Sequence, residues 1–186
     1  MTARATTGTT RTDRRAGTIE DPPAEGAPVR AAVVVASKHG TTLEIGRRVA
    51  RALGADVPVL DLAEDQHPDL AAYDTVVLGT AIYAGQPRAH MKAFAQIADL
   101  DEKRLGLFVS GMVPADGARE EELAAAYPPA LRDRATAAAF LGGSFQFDKL
   151  NRFERFVVKR VAKATADVDA IDDRAIDRFA RELVAA

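Results

Sequence analysis

The sequence feature that most constrains the fold is a strand-like run that passes through a short polar loop directly into a helix. Residues 30–36 form a continuous apolar run, as expected for a strand buried on both faces of a parallel sheet. Helical periodicity then covers about 42–53 and stops at Gly54. Backbone N–H groups and the positive end of the helix dipole converge where such a unit turns, which predicts an anion site.

The loop itself supplies hydroxyl groups as well as backbone donors. Ser37, Thr41 and Thr42 all lie between the strand and the body of the helix, so they are candidate partners for a phosphate. An ordinary strand-to-helix connection would use the same hydroxyls only to cap the helix. The loop alone therefore leaves a phosphate site and a capping turn both open.

The alternation of strand and helix continues along the chain and predicts an open, mostly parallel sheet in a three-layer α/β arrangement. Glycine interrupts the last strand at Gly142-Gly143, and Pro87 suits the first turn of a helix that runs to about Ile97. The other predicted strands are 57–62, 74–79, 105–110 and part of 137–147, and the other helices are 118–126, 150–164 and 172–184.

Length and composition set the remaining limits. The 186 residues are 47% hydrophobic, which suits one domain over 29–186 after a polar tail, 1–28, that reads as disordered. A net charge of −2 does not favour nucleic acid, and the absence of cysteine excludes disulfides and thiolate metal sites. No apolar run approaches the roughly 20 residues of a membrane span, so we expect a cytoplasmic protein.

Three loops follow the carboxyl ends of predicted strands, where open α/β sheets bind ligands: 37–42, 79–86 and 110–117. They contain neither the phosphate loop of nucleoside triphosphatases nor the glycine fingerprint of dinucleotide-binding proteins. A phospho-accepting receiver domain has the same order of strands and helices but needs an acidic pocket at this edge. That class is excluded, because the first strand ends in Ala36-Ser37 and the third in Gly79-Thr80. The three histidines show no metal-ligand spacing, so no metal is predicted.

These exclusions leave a loop that holds a phosphate without cleaving it, which suits flavin mononucleotide (FMN). The segment from Gly79 to Gly85 would offer a flat slot for the flavin ring, with Tyr83 stacking or hydrogen-bonding. Tyr83 is equally well explained as a loop anchor packed on the sheet edge. The segment that begins at Ser110 would close the other side of the ring, without an aromatic residue.

The loop Ser37-Lys38-His39-Gly40-Thr41-Thr42 is similar to the phosphate loop of the flavodoxin-like superfamily, Ser/Thr-x-Thr-Gly-x-Thr, with His39 in place of a hydroxyl residue. The resemblance implies a flavodoxin-like three-layer sandwich whose five-stranded parallel sheet has the order 2-1-3-4-5. It also implies bound FMN.

Within that superfamily the chain resembles the menaquinone-dependent protoporphyrinogen oxidase group. The loop 79–85, the segment Phe153–Lys159 and the closing helix from Ala175 to Leu183 carry this resemblance. It implies an FMN-dependent oxidoreductase of heme biosynthesis that takes hydrogen from a reduced tetrapyrrole and passes it to a quinone. Tyr83 stands where the group has a basic residue, and the stretch between Met112 and Arg134 bears little likeness to it, so a different substrate is compatible.

The predicted FMN site thus has two parts, and no catalytic acid or base is named. The phosphate part is Ser37, Lys38, His39, Gly40, Thr41 and Thr42; the ring part is Thr80, Ala81, Ile82, Tyr83, Gly85, Ser110, Gly111, Met112 and Val113.

The predicted helix 150–164 is basic and amphipathic. Residues 148–163 hold six Lys or Arg against two acidic residues, with an apolar stripe at helical spacing. Such a helix suits peripheral contact with an anionic membrane, here the inner face of the cell membrane. It would equally attract porphyrin propionates or an acidic partner, and a packed surface helix with solvated cations explains it as well.

Two other functions are compatible with the same fold. One is a soluble electron carrier that works with a redox partner and has no substrate chemistry of its own. The basic segment argues against it, because carriers usually surround the flavin edge with acidic residues. The other is a non-enzymatic module that has kept the fold and lost the flavin.

Overall fold

The computed structural model describes residues 30–83, 86–111, 116–145 and 168–185. The strands are β1 (Ala31–Ala36), β2 (Val59–Asp61), β3 (Thr75–Tyr83), β4 (Gln86–Pro87), β5 (Arg104–Ser110), β6 (Ala137–Phe140), β7 (Gly142–Phe145) and β8 (Val168–Ile171). The helices are α1 (Thr41–Leu53), α2 (Ala89–Ile97), α3 (Asp116–Ala126), α4 (Pro129–Arg134) and α5 (Asp173–Ala185). None of the described helices is long and apolar enough to cross a membrane, and the predicted helix 150–164 lies outside the described residues.

The central sheet has the order β2-β1-β3-β5-β6, and each of these neighbours pairs in parallel. If these five strands alone are numbered in chain order, the arrangement is 2-1-3-4-5, which confirms the predicted flavodoxin-like sandwich. β2 lies on one side of β1 and β3 on the other, so the order in which the strands are added reverses at β1. The loops after β1 and β3 therefore lie side by side. That point is where open α/β sheets bind ligands.

Helices cover both faces of the sheet, which explains why all six residues of β1 are buried. Val33 and Val35 face a cluster that includes Ile45 of α1 and Phe179 of α5. Val34, between them, faces the opposite cluster with α2 and the end of α3. The alternation follows from the two-residue period of a strand, and the continuous apolar run follows from burial on both sides.

Gly79 lets an aromatic ring of β5 lie directly on the backbone of the neighbouring strand β3, close to the ligand-binding edge. A Cβ atom at Gly79 would lie 2.0 Å from Cζ of Phe108 on the neighbouring strand, so the Phe108 ring rests directly on the Gly79 backbone. The same ring meets Phe179 edge-on, with 6.5 Å between the ring centroids. This contact connects the ends of β3 and β5 to α5.

The predicted start of the second helix at Pro87 is wrong. Pro87 lies in β4 and pairs antiparallel with Ile82, and the helix begins two residues later at Ala89. Because the φ angle of proline suits both a strand and the first turn of a helix, the presence of Pro87 did not distinguish a strand from a helix start. The hairpin extends the carboxyl end of β3 beyond the sheet.

The break predicted at Gly142-Gly143 is confirmed, and a second, two-stranded sheet begins there. Gly142 has φ +78°, and a Cβ atom there would lie 2.0 Å from the carbonyl oxygen of Ala170. After β6 the chain leaves the central sheet and forms β7, which pairs antiparallel with β8. The sequence analysis did not predict β8 or α4.

Candidate functional site

The predicted phosphate loop begins α1 with an unobstructed backbone. Gly40 is the N-cap residue in a left-handed conformation with φ 91°, and no side chain caps the helix there. Its own N–H donates to Ser37 Oγ at 3.1 Å, while its carbonyl oxygen accepts from the N–H of Glu44. A Cβ atom at Gly40 would meet nothing within 4 Å, and the N–H groups of the first turn have no partner within the helix itself. This geometry forms a cradle for an anion.

The Thr41 hydroxyl ties this loop to β7. Thr41 Oγ1 donates to the carbonyl oxygen of Ser144 at 2.6 Å and lies 3.3 Å from Ser144 Oγ. The two residues are 103 positions apart in the chain. The strand that leaves the sheet at Gly142 therefore supports the phosphate loop from the side.

The Thr42 hydroxyl ties the loop to the end of β5. Thr42 is 1% exposed and its Oγ1 lies 2.9 Å from Oγ of Ser110, which is 2% exposed. Both threonine hydroxyls thus have partners in the protein, and an anion in the cradle would be held first by backbone N–H groups. Lys38 is exposed and His39 half-buried beside the cradle.

The ring side of the site is described in part. Thr80 is fully buried, with Oγ1 3.4 Å from the carbonyl oxygen of Ala81 and accepting from the Arg88 N–H at 3.4 Å. Ala81 and Ile82 follow it as half-buried residues, and Tyr83 ends β3 by pairing with Gln86. Thr80 therefore braces the hairpin from below.

Some predicted ring residues lie outside what the structure describes. These are Gly85, Met112 and Val113, together with the side chain of Tyr83. Ser110 and Gly111 are described; Gly111 donates its N–H to the carbonyl oxygen of Gly142 at 3.1 Å. The structure thus brings Ser110 to the phosphate loop and sets Gly111 against the start of β7.

Tyr127, which the sequence analysis missed, braces the same edge of the sheet from the α2–α3 face. Its hydroxyl lies 2.8 Å from the carbonyl oxygen of Leu78 and 2.9 Å from that of Phe108. Burial raises the pKa of Tyr127 well above its ordinary value, so the phenol stays protonated and remains a donor. A lone tyrosine before Pro128-Pro129 was the only sequence signal.

Glu122 of α3 is a second residue that the sequence analysis did not single out. A Cβ atom at Gly111 would lie 3.1 Å from Glu122 Oε2, so the carboxyl group rests against the Gly111 backbone. Oε2 is buried and has no hydrogen-bond partner among the described residues, and burial raises the pKa of Glu122. Glu122 is one of three consecutive glutamates, and only the structure distinguishes it from its exposed neighbours Glu120 and Glu121.

The described residues contain no group of three or more His, Asp or Glu side chains that would hold a metal ion. His67 and His90 are exposed, away from the phosphate loop in the chain. The polar groups described at this edge include backbone N–H groups, hydroxyls, Lys38 and the partly buried carboxyl group of Glu122. They suit binding of a phosphate-bearing ligand.

Comparison with known proteins agrees with this description. The model of the flavodoxin domain family matches residues 32–172. Flavodoxin 2 from Bacillus cereus superposes with a TM-score of 0.53 at 16% identity, covering 84% of this chain and 99% of that one. A short-chain flavodoxin associated with a PDU bacterial microcompartment gives 0.52 at 19%, covering 84% and 97%. No curated protein matches the sequence. The parallel sheet order and the match over residues 32–172 show that this chain belongs to the flavodoxin domain family.

Proposed function

We propose that this chain binds FMN and transfers electrons through it. The observation that carries the proposal is the start of α1 at Gly40, a left-handed N-cap glycine with no capping side chain and nothing within 4 Å of the position of its Cβ atom. Membership of the flavodoxin domain family supports FMN as the ligand that supplies the phosphate.

The residues around the cradle fit the phosphate of FMN. The backbone N–H groups of Thr41 and Thr42 would donate to the phosphate oxygens, with Ser37, Lys38, His39 and Gly40 around it. The hydroxyls of Thr41 and Thr42 hold the loop against β7 and β5, which preorganises those N–H groups. Bound FMN would supply reversible electron uptake, while the protein orients the ring and sets its surroundings.

The flavin ring would lie over the carboxyl ends of β3 and β5. Ala81, Ile82 and Tyr83 would line one side and Ser110 and Gly111 the other. Thr80 would support the first side from below, since its hydroxyl is engaged with Arg88. The sequence alone predicts Gly85, Met112 and Val113 as the remaining residues of the proposed slot.

An electron carrier is the function that the findings favour. The family that matches is the flavodoxin domain, and its match spans both the phosphate loop and the two ring loops. A carrier needs only a held flavin and a redox partner. The described residues at this edge include the partly buried Glu122, whose Oε2 has no hydrogen-bond partner among them.

Oxidation of protoporphyrinogen IX with a quinone as acceptor is the second candidate. The loop from Gly79 to Gly85 and the segment Phe153–Lys159 favour it by their resemblance to that group of enzymes. The basic segment 150–164 would then meet the tetrapyrrole or an anionic membrane surface. That segment lies outside the described residues, so this proposal rests on sequence alone.

Two assays on the same FMN-loaded protein separate the candidates. A carrier accepts electrons from NADPH through a flavodoxin reductase and passes them to cytochrome c, without consuming protoporphyrinogen IX. An oxidase forms fluorescent protoporphyrin IX anaerobically in the presence of a menaquinone analogue. Protein that is colourless and does not bind added FMN would contradict both candidates and leave the module without a flavin.

A further inference from the structure

A partly buried carboxyl group, that of Glu122, lies against the ring side of the proposed flavin site. Glu122 projects from the second turn of α3, and its Oε2 rests over Gly111, the residue after the last residue of β5. The ring of Phe140 is on the same side of Gly111, where a Cβ atom would come within 3.4 Å of Phe140 Cε2. Oε2 is therefore enclosed between a strand end, an aromatic ring and its own helix.

Among the described residues, Oε2 of Glu122 has no hydrogen-bond partner. β3 and β6 contain no charged residue, β4 consists of Gln86 and Pro87, and the one charged residue of β5, Arg104, begins that strand while Gly111 follows its other end. On α3 itself, the guanidinium of Arg119 lies over the Phe140 ring, 5.4 Å from its centroid. Arg88 follows β4, and its N–H donates to Thr80. Desolvation is accordingly the sole cause of the raised pKa of Glu122.

A carboxyl group in this position responds to charge that arrives nearby. In a partly desolvated site, a new negative charge within several ångströms disfavours an ionised carboxylate and favours its protonated form. By linkage, the ionised carboxylate must disfavour the arrival of that charge to the same extent.

We propose that Glu122 is the acid–base group through which pH sets the reduction potential of the flavin held by this chain. The inference rests on the proposed function, because it places the ring beside Gly111. A bound flavin would take up one electron from NADPH through a flavodoxin reductase, and one proton from the solvent would add to the Glu122 carboxylate to give the neutral acid. Reoxidation by the acceptor returns the electron, and the proton returns to water.

The measurement is the midpoint potential of the FMN-loaded protein between pH 5 and 9, by spectroelectrochemistry, for the wild type, Glu122→Gln and Glu121→Gln. The potentials of wild type and Glu122→Gln are expected to converge as the pH falls and Glu122 becomes protonated. At alkaline pH the midpoint potential of the wild type is expected to be lower than that of Glu122→Gln. The expected difference is about a tenfold change in the reduced-to-oxidised ratio, which is 59 mV for a one-electron step.

Glu121→Gln is the matched control, since it removes the same charge from an exposed position one residue away. It is expected to follow the wild type, with a small offset that salt removes. A merely structural role for Glu122 would shift the potential equally at every pH. Such a parallel shift, or a Glu122→Gln curve that coincides with the wild type, would overturn the inference.

A second readout observes the proton itself. In protein labelled with ¹³C at the glutamate carboxyl carbons, Glu122 is identified by the signal that Glu122→Gln removes. Reduction with dithionite at fixed pH is expected to move that signal toward the protonated position. A signal that stays in place on reduction, in protein that binds FMN, overturns the inference alone. Failure to bind FMN overturns it together with the proposed function.

Discussion

Thr42 Oγ1 lies 2.9 Å from Ser110 Oγ, and this buried hydroxyl pair joins the phosphate loop to the end of β5. The two hydroxyls carry two protons, of which the contact between them uses one. The pair thus connects the part of the site proposed for the phosphate with the part proposed for the ring. It also brings together residues 68 positions apart in the sequence.

Replacing Thr42 with valine removes one member of this pair and leaves the Ser110 hydroxyl buried without its partner. We expect the apoprotein to lose about 1–3 kcal/mol of unfolding free energy, measured by urea denaturation. The double variant Thr42→Val/Ser110→Ala is expected to lose less than the sum of the single changes. Additive losses would show that the two hydroxyls do not interact.

Gly79→Ala places a Cβ atom where the Phe108 ring lies. We expect a loss of about 1–3 kcal/mol in urea denaturation, because a close-packed core does not absorb an extra methyl group. The substitution Phe108→Leu should recover part of that loss in the double variant. Gly54→Ala is the control, since its Cβ would make ordinary contact with Val57 at 3.7 Å. Equal effects of the two alanines would contradict the described contact.

Tyr127→Phe removes the hydroxyl that lies between the carbonyl oxygens of Leu78 and Phe108. We expect a loss of about 1–3 kcal/mol, since both carbonyl groups are buried and lose a donor. Tyr73→Phe, at a half-buried position, should cost less. Because burial raises the pKa of Tyr127, alkaline absorbance titration should find one fewer phenolate in the folded wild type than in the unfolded chain. Full ionisation of all tyrosines without unfolding would contradict this burial.

Glu122 should make the stability of the apoprotein depend on pH. Its pKa in the folded protein is raised above the ordinary 4.5, so its contribution is fully present below that value and is lost as pH rises through the folded pKa. Glu122→Gln should therefore gain stability relative to the wild type as pH rises from 4 to 8. The effect should be modest, because the carboxyl group is only partly buried. Urea denaturation across that range tests it, and a pH-independent difference would contradict it.

The sequence predicts the sheet because its strands are buried on both faces. The runs at 31–36 and 105–109 are continuously apolar, and each is followed directly by a serine, Ser37 or Ser110, so the strand ends and the ligand edge follow from the pattern. The short hairpin after β3 is different, since Pro87 is compatible with both a strand and a helix start. Only the pairing with Ile82 decides between them.

The partners of the site residues could not be read from the sequence. The pattern identifies Ser37, Gly40 and Thr42 as a phosphate loop, but the contacts of Thr41 with Ser144 and of Thr42 with Ser110 span 103 and 68 positions. Glu122 differs from Glu121 only through its place on the helix face beside Gly111. Such contacts depend on tertiary packing, which local residue patterns do not predict.

The central claim is that the first-turn N–H groups after Gly40 hold the phosphate of FMN, and the most direct test compares FMN with riboflavin, which lacks the phosphate. Calorimetric titration of the apoprotein should give an affinity for FMN about a hundredfold higher, or ~2.7 kcal/mol, from charge-assisted hydrogen bonds. Gly40→Ala should cost about 1–2 kcal/mol of stability from its left-handed backbone and reduce that ratio, leaving riboflavin affinity nearly unchanged. Equal affinities of the wild type for the two flavins would contradict the claim.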